Sequence, residues 1–247
     1  MAADDNERKV DGRALIDSLD ASGLPTLGRS RGGIAIRGGW LGGAAGPRSL
    51  PGLSPRRLLV VGGVHGDEPA SVEAVGELGL RLRAAAPGRA GVFVVPALNP
   101  DGLLLGQKDS MAGVDLNRNF PALNFTRAHS AGYDPGPFPL SEPETAVLAR
   151  LIEEQRVGAV VAVHAPFACV NFDGPARAWA EHVGAACGWP VRESIGYPTP
   201  GSLGSWLGVD AGVPVLTLEL PAGPARRFRG AAAMALDAAI ASVEAAR

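Results

Sequence analysis

"RLLVVGGVHGDEPASVEAV", residues 57–75, is the stretch from which the fold of this chain can be read. It begins as a short apolar run rich in β-branched residues, the composition of a buried strand. Gly62, Gly63, Asp67 and Pro69 then supply turn chemistry. Beyond them Val72, Val75, Leu78 and Leu82 recur at helical spacing, and Pro87-Gly88 is expected to stop the helix. Two readings of the turn compete. It is either backbone geometry alone, with a carboxylate favoured in the first helical turn, or half of a metal site, because His65 and Glu68 stand three positions apart.

Working outward, "VFVVPAL", "VGAVVAVH" and "VPVLTLEL" read as further buried strands. "SEPETAVLARLIEEQ" reads as an amphipathic helix opened by Ser141 and Glu144 in capping-box spacing, and the alanine-rich tail from about residue 230 as a last helix. Strands that alternate with helices and are apolar on both faces predict one α/β domain. Its central sheet is mostly parallel or mixed and is covered by helices on both faces. The domain is assigned to residues 31–247, and residues 1–30 are expected to form a weakly structured N-terminal segment, with a short helix at most in "ALIDSL". "GGIAIRGGWLGG" reads as a glycine-flanked strand and turn. Residues 99–140 break the rhythm, and the apolar and aromatic residues among them predict an ordered, functional loop.

The hydrophobic fraction of 46% and charged fraction of 19% exclude a disordered chain. A net charge of -2 gives no global field for nucleic acid or an anionic membrane surface. No apolar run reaches the length of a bilayer span. No basic segment followed by an apolar one marks a signal peptide, so a cytoplasmic soluble protein is expected. Cys169 and Cys187 lack metal or redox spacing and are expected to be buried free thiols.

In open α/β sheets ligands bind outside the carboxyl ends of the strands. That rule selects few residues: His65 after the first long strand, His164 at the end of "VGAVVAVH", and Glu219 near the end of "VPVLTLEL". One strand-end histidine is more often structural than ligating. Two of them with Glu68, however, make the His₂-carboxylate set of an open catalytic zinc site, whereas structural zinc prefers four closed ligands with thiolates. Zinc hydrolysis also needs a carboxylate that is not a ligand, and Glu219 fits by position. In "DLNRNFP", Asn117 and Arg118 offer an amide and a forked guanidinium suited to a substrate carboxylate. Tyr197 precedes the Gly/Pro/Ser segment "PTPGSLGSW"; its phenol either donates a hydrogen bond over the site or packs. His129 and His182 read as ordinary surface or satisfied histidines.

The ordered series "HGDE", "NPDG", "DLNRNFP", "VVAVH" and "TLELP" resembles zinc carboxypeptidases of the carboxypeptidase A type over residues from about 57 to 245. A His₂Glu zinc site is that family's known arrangement. "SEPET", "GYPTPGSLGSWLG" and "VPVLTLELP" are further similar to the bacterial murein peptide amidase group, which cleaves γ-D-glutamyl–diaminopimelate bonds during cell-wall recycling.

The resemblance implies one zinc ion held by His65, Glu68 and His164, with Glu219 as general base and acid. Asn117 and Arg118 would hold the carboxylate of the released residue, and Tyr197 would match a tyrosine of the substrate-capping loop. The family's oxyanion arginine has no counterpart, and Lys108 stands near its place with a point charge instead of a fork. The implied partner is a small murein peptide, with no nucleic acid or membrane. Two rival readings are an N-acyl amino acid amidohydrolase of the aspartoacylase and succinylglutamate desuccinylase type, and a non-catalytic peptide-binding module.

Overall fold

A computed structural model describes residues 10–42, 57–84 and 91–245. The strands are β1 (Thr26–Arg29), β2 (Ala35–Arg37), β3 (Gly39–Leu41), β4 (Arg57–Val61), β5 (Val92–Val95), β6 (Val157–His164), β7 (Phe167–Asp173), β8 (Val191–Arg192) and β9 (Val215–Pro221). The helices are α1 (Gly12–Ala21), α2 (Pro69–Ala84), α3 (Pro100–Leu105), α4 (Pro143–Glu154), α5 (Arg177–Cys187) and α6 (Arg229–Ala245). β1 and β2 pair in a small antiparallel sheet, and the central sheet runs β3-β5-β4-β6-β9-β7-β8. β5, β4, β6 and β9 are parallel to one another, while β3 and β7 run antiparallel to their partners β5 and β9. The sheet is therefore mixed around a parallel centre.

Alternation along each strand explains why these segments are apolar throughout. Leu58, Val60, Val161, Leu216 and Leu218 face α2, α5 and α6 on one side. Leu59, Val61, Val160, Ala162 and Val215 face α4 and the side chains of Leu116, Phe120, Leu203 and Leu207 on the other. With both faces covered, each fully buried Val or Leu contributes about 1.5–3 kcal/mol, and a polar residue inside β4, β6 or β9 would forfeit that. Polar side chains are tolerated where those strands end.

From β4 the chain moves to β5 on one side and later to β6 on the other, which opens a crevice at the carboxyl ends of β4 and β6. The turn after β4 is tied down there. The Gly62 N–H donates to the Val95 carbonyl (2.9 Å) and the Asn99 N–H to the Gly63 carbonyl (2.7 Å). Gly63 has φ +57°, a conformation that L side chains rarely adopt. A Cβ on Gly66 would lie 2.0 Å from the carbonyl carbon of Gly102 in α3. Ser71 closes the unit by accepting from the Gly63 N–H (2.9 Å) and donating to the Glu68 carbonyl (2.7 Å).

Three expectations change. Residues 10–30 of the supposed weakly structured segment contain α1, capped by Asp11, and β1. Ile16 of α1 is buried with Val72, Ala97 and Leu103, which supplies the apolar anchor that the polar composition concealed. The Ser141–Glu144 capping box does not form, because α4 opens at Pro143 with Glu142 as its N-cap residue. Glu144 turns inward and accepts from the Arg31 N–H (3.0 Å), while Ser141 Oγ accepts from Asn119 (2.9 Å). Residues 99–140 are an ordered loop as expected, but they include α3 and a 3-10 turn at Leu116–Arg118. The expected helix stop at Pro87-Gly88 and residues 1–9 lie outside the described residues.

The crowding at Gly66 is directly testable. Gly66→Ala should lower the unfolding free energy by about 1–3 kcal/mol in urea titration, since neither backbone can yield without moving the turn. Gly76→Ala on α2, where a Cβ meets nothing within 4 Å, should instead stabilise by about 0.5–1 kcal/mol through helix propensity.

Candidate metal centre

His65 and Glu68 leave the β4–α2 turn side by side, and His164 closes β6 across the crevice. Nδ1 of His65 lies 2.8 Å from Glu68 Oε1, and Nδ1 of His164 lies 3.1 Å from Glu68 Oε2. One donor atom from each of the three residues falls within 4.8 Å of the others. Two ring nitrogens and a carboxylate thus converge on one point from two strand ends.

Electrostatics reinforce this geometry. Burial opposes charging of His65, yet hydrogen bonds to Asp115 and Glu68 and their charges push its pKa up to about 10. Burial alone would raise Glu68, but the two histidines overcome it and hold its carboxyl down to about 2. A carboxylate clamped between two imidazoles is a site whose protons a divalent cation can displace.

Nε2 of His65 is held from behind by Asp115 Oδ1 (3.2 Å), which also accepts from the Asn117 N–H (2.9 Å). Asp115 Oδ2 accepts from Lys108. Asp115 is fully buried, and burial would raise its carboxyl, but His65, Arg118 and Lys108 hold it far below the usual carboxylate range. A carboxylate behind a metal-binding histidine orients the ring and raises its basicity. Asp115 stood in plain view in "DLNRNFP", whose reading stopped at Asn117 and Arg118.

Glu219 is the Cα partner of His164 across the β6–β9 pairing. It is 4% exposed, and its Oε2 is buried with no hydrogen-bond partner. Burial pushes its pKa up, with His164 pulling down and Glu68 pushing further up. An orphaned carboxylate oxygen beside three convergent donors fits a bound zinc and the water it carries, so the donor set passes the chemical test for that ion.

All the remaining sequence candidates line the same cleft, of about 510 Å³, which suits a small-molecule or short-peptide ligand. Lys108 Nζ donates to the Gly132 carbonyl (2.6 Å) and sits 4.3 Å from the Tyr133 ring centroid. Arg118 is buried; its Nη1 donates to the Asn117 carbonyl (2.7 Å), and its guanidinium lies 5.2 Å from the same ring. Asn117 Oδ1 accepts from the Leu203 N–H (3.1 Å). Tyr197 stands at the mouth, 37% exposed, with Tyr133 at 5.9 Å and Phe167 at 6.3 Å between ring centroids. Tyr133 was missed in the sequence because one tyrosine in a polar loop has no local signal. His129 and His182 are exposed, and both cysteines are buried and free.

A profile for the zinc carboxypeptidase family matches residues 26–177, and the chain belongs to that family. It is 38% identical over 183 residues to murein peptide amidase A of Escherichia coli (strain K12), covering 69% of this chain and 74% of that protein. It is 35% identical over 181 residues to murein peptide amidase A of Vibrio campbellii, covering 68% of this chain and 71% of that protein. Among solved structures, murein-tripeptide amidase from Escherichia coli O157 superposes with a TM-score of 0.70 at 33% identity, over 90% of this chain and 91% of that one. Thrombin activatable fibrinolysis inhibitor superposes with a TM-score of 0.77 at 14% identity, over 100% of this chain and 80% of that one, which shows the shared fold. Membership of this family makes the chain a zinc-dependent peptide hydrolase, against both the acyl-amino-acid and the binding-module readings.

If Asp115 orients His65, Asp115→Asn should weaken zinc binding about 10–100-fold. Competition with a chromophoric chelator measures this, and an unchanged affinity would remove Asp115 from the centre.

Proposed function

We propose that this enzyme hydrolyses the γ-D-glutamyl–diaminopimelate bond of murein peptides with one zinc ion held by His65, Glu68 and His164. The observation that carries the chemistry is the unpartnered, buried Glu219 oxygen next to three donors within 4.8 Å of one another. The substrate follows from the likeness to murein peptide amidases over more than two thirds of the chain, 69% for the Escherichia coli relative. Among the described residues no helix is long and apolar enough to cross a membrane, and the proposed place of action is the cytoplasm, in turnover of cell-wall peptides.

When bound, zinc acidifies a water and polarises the scissile carbonyl. Glu219 takes the proton at its free oxygen and then gives it to the leaving amine of the released residue. Its raised pKa suits both halves of that exchange. Arg118, with Asn117 beside it in the lining of the cleft, holds the carboxylate of the released residue. Lys108 spends two of its three N–H donors on Asp115 and Gly132, leaving one for the substrate oxygen that gains charge. Tyr197 closes over the bound residue from the mouth.

Glu219→Gln should keep its zinc but lose turnover of a murein tripeptide by at least about 10²–10⁴-fold. Metal analysis alongside product mass spectrometry checks both halves, and a fully active variant would remove Glu219 from the reaction.

A further inference from the structure

Lys108 and Arg118 both line the cleft, and the reaction proposed above asks for each at a fixed place. One faces the oxygen that gains charge, the other the terminal carboxylate. Both are long side chains of like charge, so they repel each other and have many rotamers to explore. Their hydrogen bonds hold only part of each. Lys108 donates to Asp115 and to the Gly132 carbonyl, and Arg118 donates through Nη1 to the Asn117 carbonyl. The remaining N–H groups have to be aimed without being used up.

Tyr133 meets that need. Its ring centroid lies 4.3 Å from Lys108 Nζ and 5.2 Å from the guanidinium carbon of Arg118. A ring quadrupole attracts a cation without neutralising it. A carboxylate in the same place would pair with both cations and compete with the one on the substrate. The ring is itself fixed through its chain neighbours. The Tyr133 N–H donates to the Ser130 carbonyl (3.1 Å), and the Asp134 carbonyl accepts from the Asp115 N–H (2.8 Å). The Pro135 carbonyl accepts from Asn119 Nδ2 (2.7 Å). Asp115 and Asn119 bracket the turn that carries Arg118, so ring and guanidinium are tied to one frame.

A second cavity, of about 590 Å³, shares Arg118, Tyr133 and Tyr197 with the metal-centre cleft and is otherwise lined by residues such as Thr126, His129 and Pro198. Those three shared side chains are the partition between the two spaces. With the Tyr133 ring removed, the Arg118 guanidinium gains room to turn out of the cleft. We infer that Tyr133 is a positioning residue, whose ring holds the Lys108 ammonium and the Arg118 guanidinium at the places where the substrate oxygen and the substrate carboxylate need them. This rests on the proposed function, which gives those two cations their roles.

The test measures kcat and KM of the zinc-loaded enzyme on a murein tripeptide for Tyr133→Phe and Tyr133→Leu. Tyr133→Phe keeps the ring face and should stay within about threefold of wild type. Tyr133→Leu should lower kcat and raise KM together, with kcat/KM down by roughly 5–30-fold. Binding of free diaminopimelate, followed by calorimetry, should weaken in Tyr133→Leu as well, which reports the Arg118 clamp apart from turnover. In an Arg118→Ala background the leucine change should leave KM nearly unmoved, and in a Lys108→Met background it should leave kcat nearly unmoved. Zinc content and thermal midpoint report folding, and Tyr133→Met replaces the leucine variant if that one does not fold. Wild-type kinetics in the folded leucine variant, an equal loss in Tyr133→Phe, or effects that persist in full in both backgrounds overturn the inference. Cleavage of α-linked peptides alone would overturn the murein reading, while the same variants measured on such a peptide would still decide the role of Tyr133.

Discussion

The parallel pairing of β4, β6 and β9 is the constraint on which the rest of this molecule depends. Because both sheet faces are buried, the three strands are largely apolar, and beyond a shift between Arg57 and Leu58 they hold one register. A slip of one residue would turn every core side chain to the wrong face. That register makes His164 and Glu219 immediate neighbours and brings the turn after β4 to the same edge. Apolar packing thereby sets the distance between the His164 ring and the Glu219 carboxylate.

Around that edge, charge is managed in two distinct ways. Glu68, His65, Asp115 and Lys108 form a chain in which each carboxylate has a partner, so the donor set is held in position before any ion binds. Glu219 keeps one oxygen, Oε2, buried with no hydrogen-bond partner. Burial raises the pKa of Glu219 and of Asp173, and the two residues line one pocket beside His164.

Much of this was legible in the chain itself. Strand ends at His164 and Glu219 could be read because a buried strand declares its length through continuous apolar residues. The His65–Glu68 spacing could be read because a βα turn of glycines and proline leaves few directions for its side chains. The N-terminal helix was misjudged, since its stability comes from Ile16 packing on α2 and α3 residues far away in sequence. The capping box at Ser141 failed for a related reason: Arg31 and Asn119, both distant, claim Glu144 and Ser141 more strongly than the helix end does.

By itself the sequence determined the strand and helix order and offered the candidate ligands and the candidate base, because these follow from local composition and period. Only the tertiary structure decided that Asp115 backs His65, that Tyr133 joins Lys108 and Arg118, and that Asp173 lies two rows below Glu219. Those relations depend on register between strands and on loops folding across the sheet edge. Each joins residues tens of positions apart, so no local pattern records it.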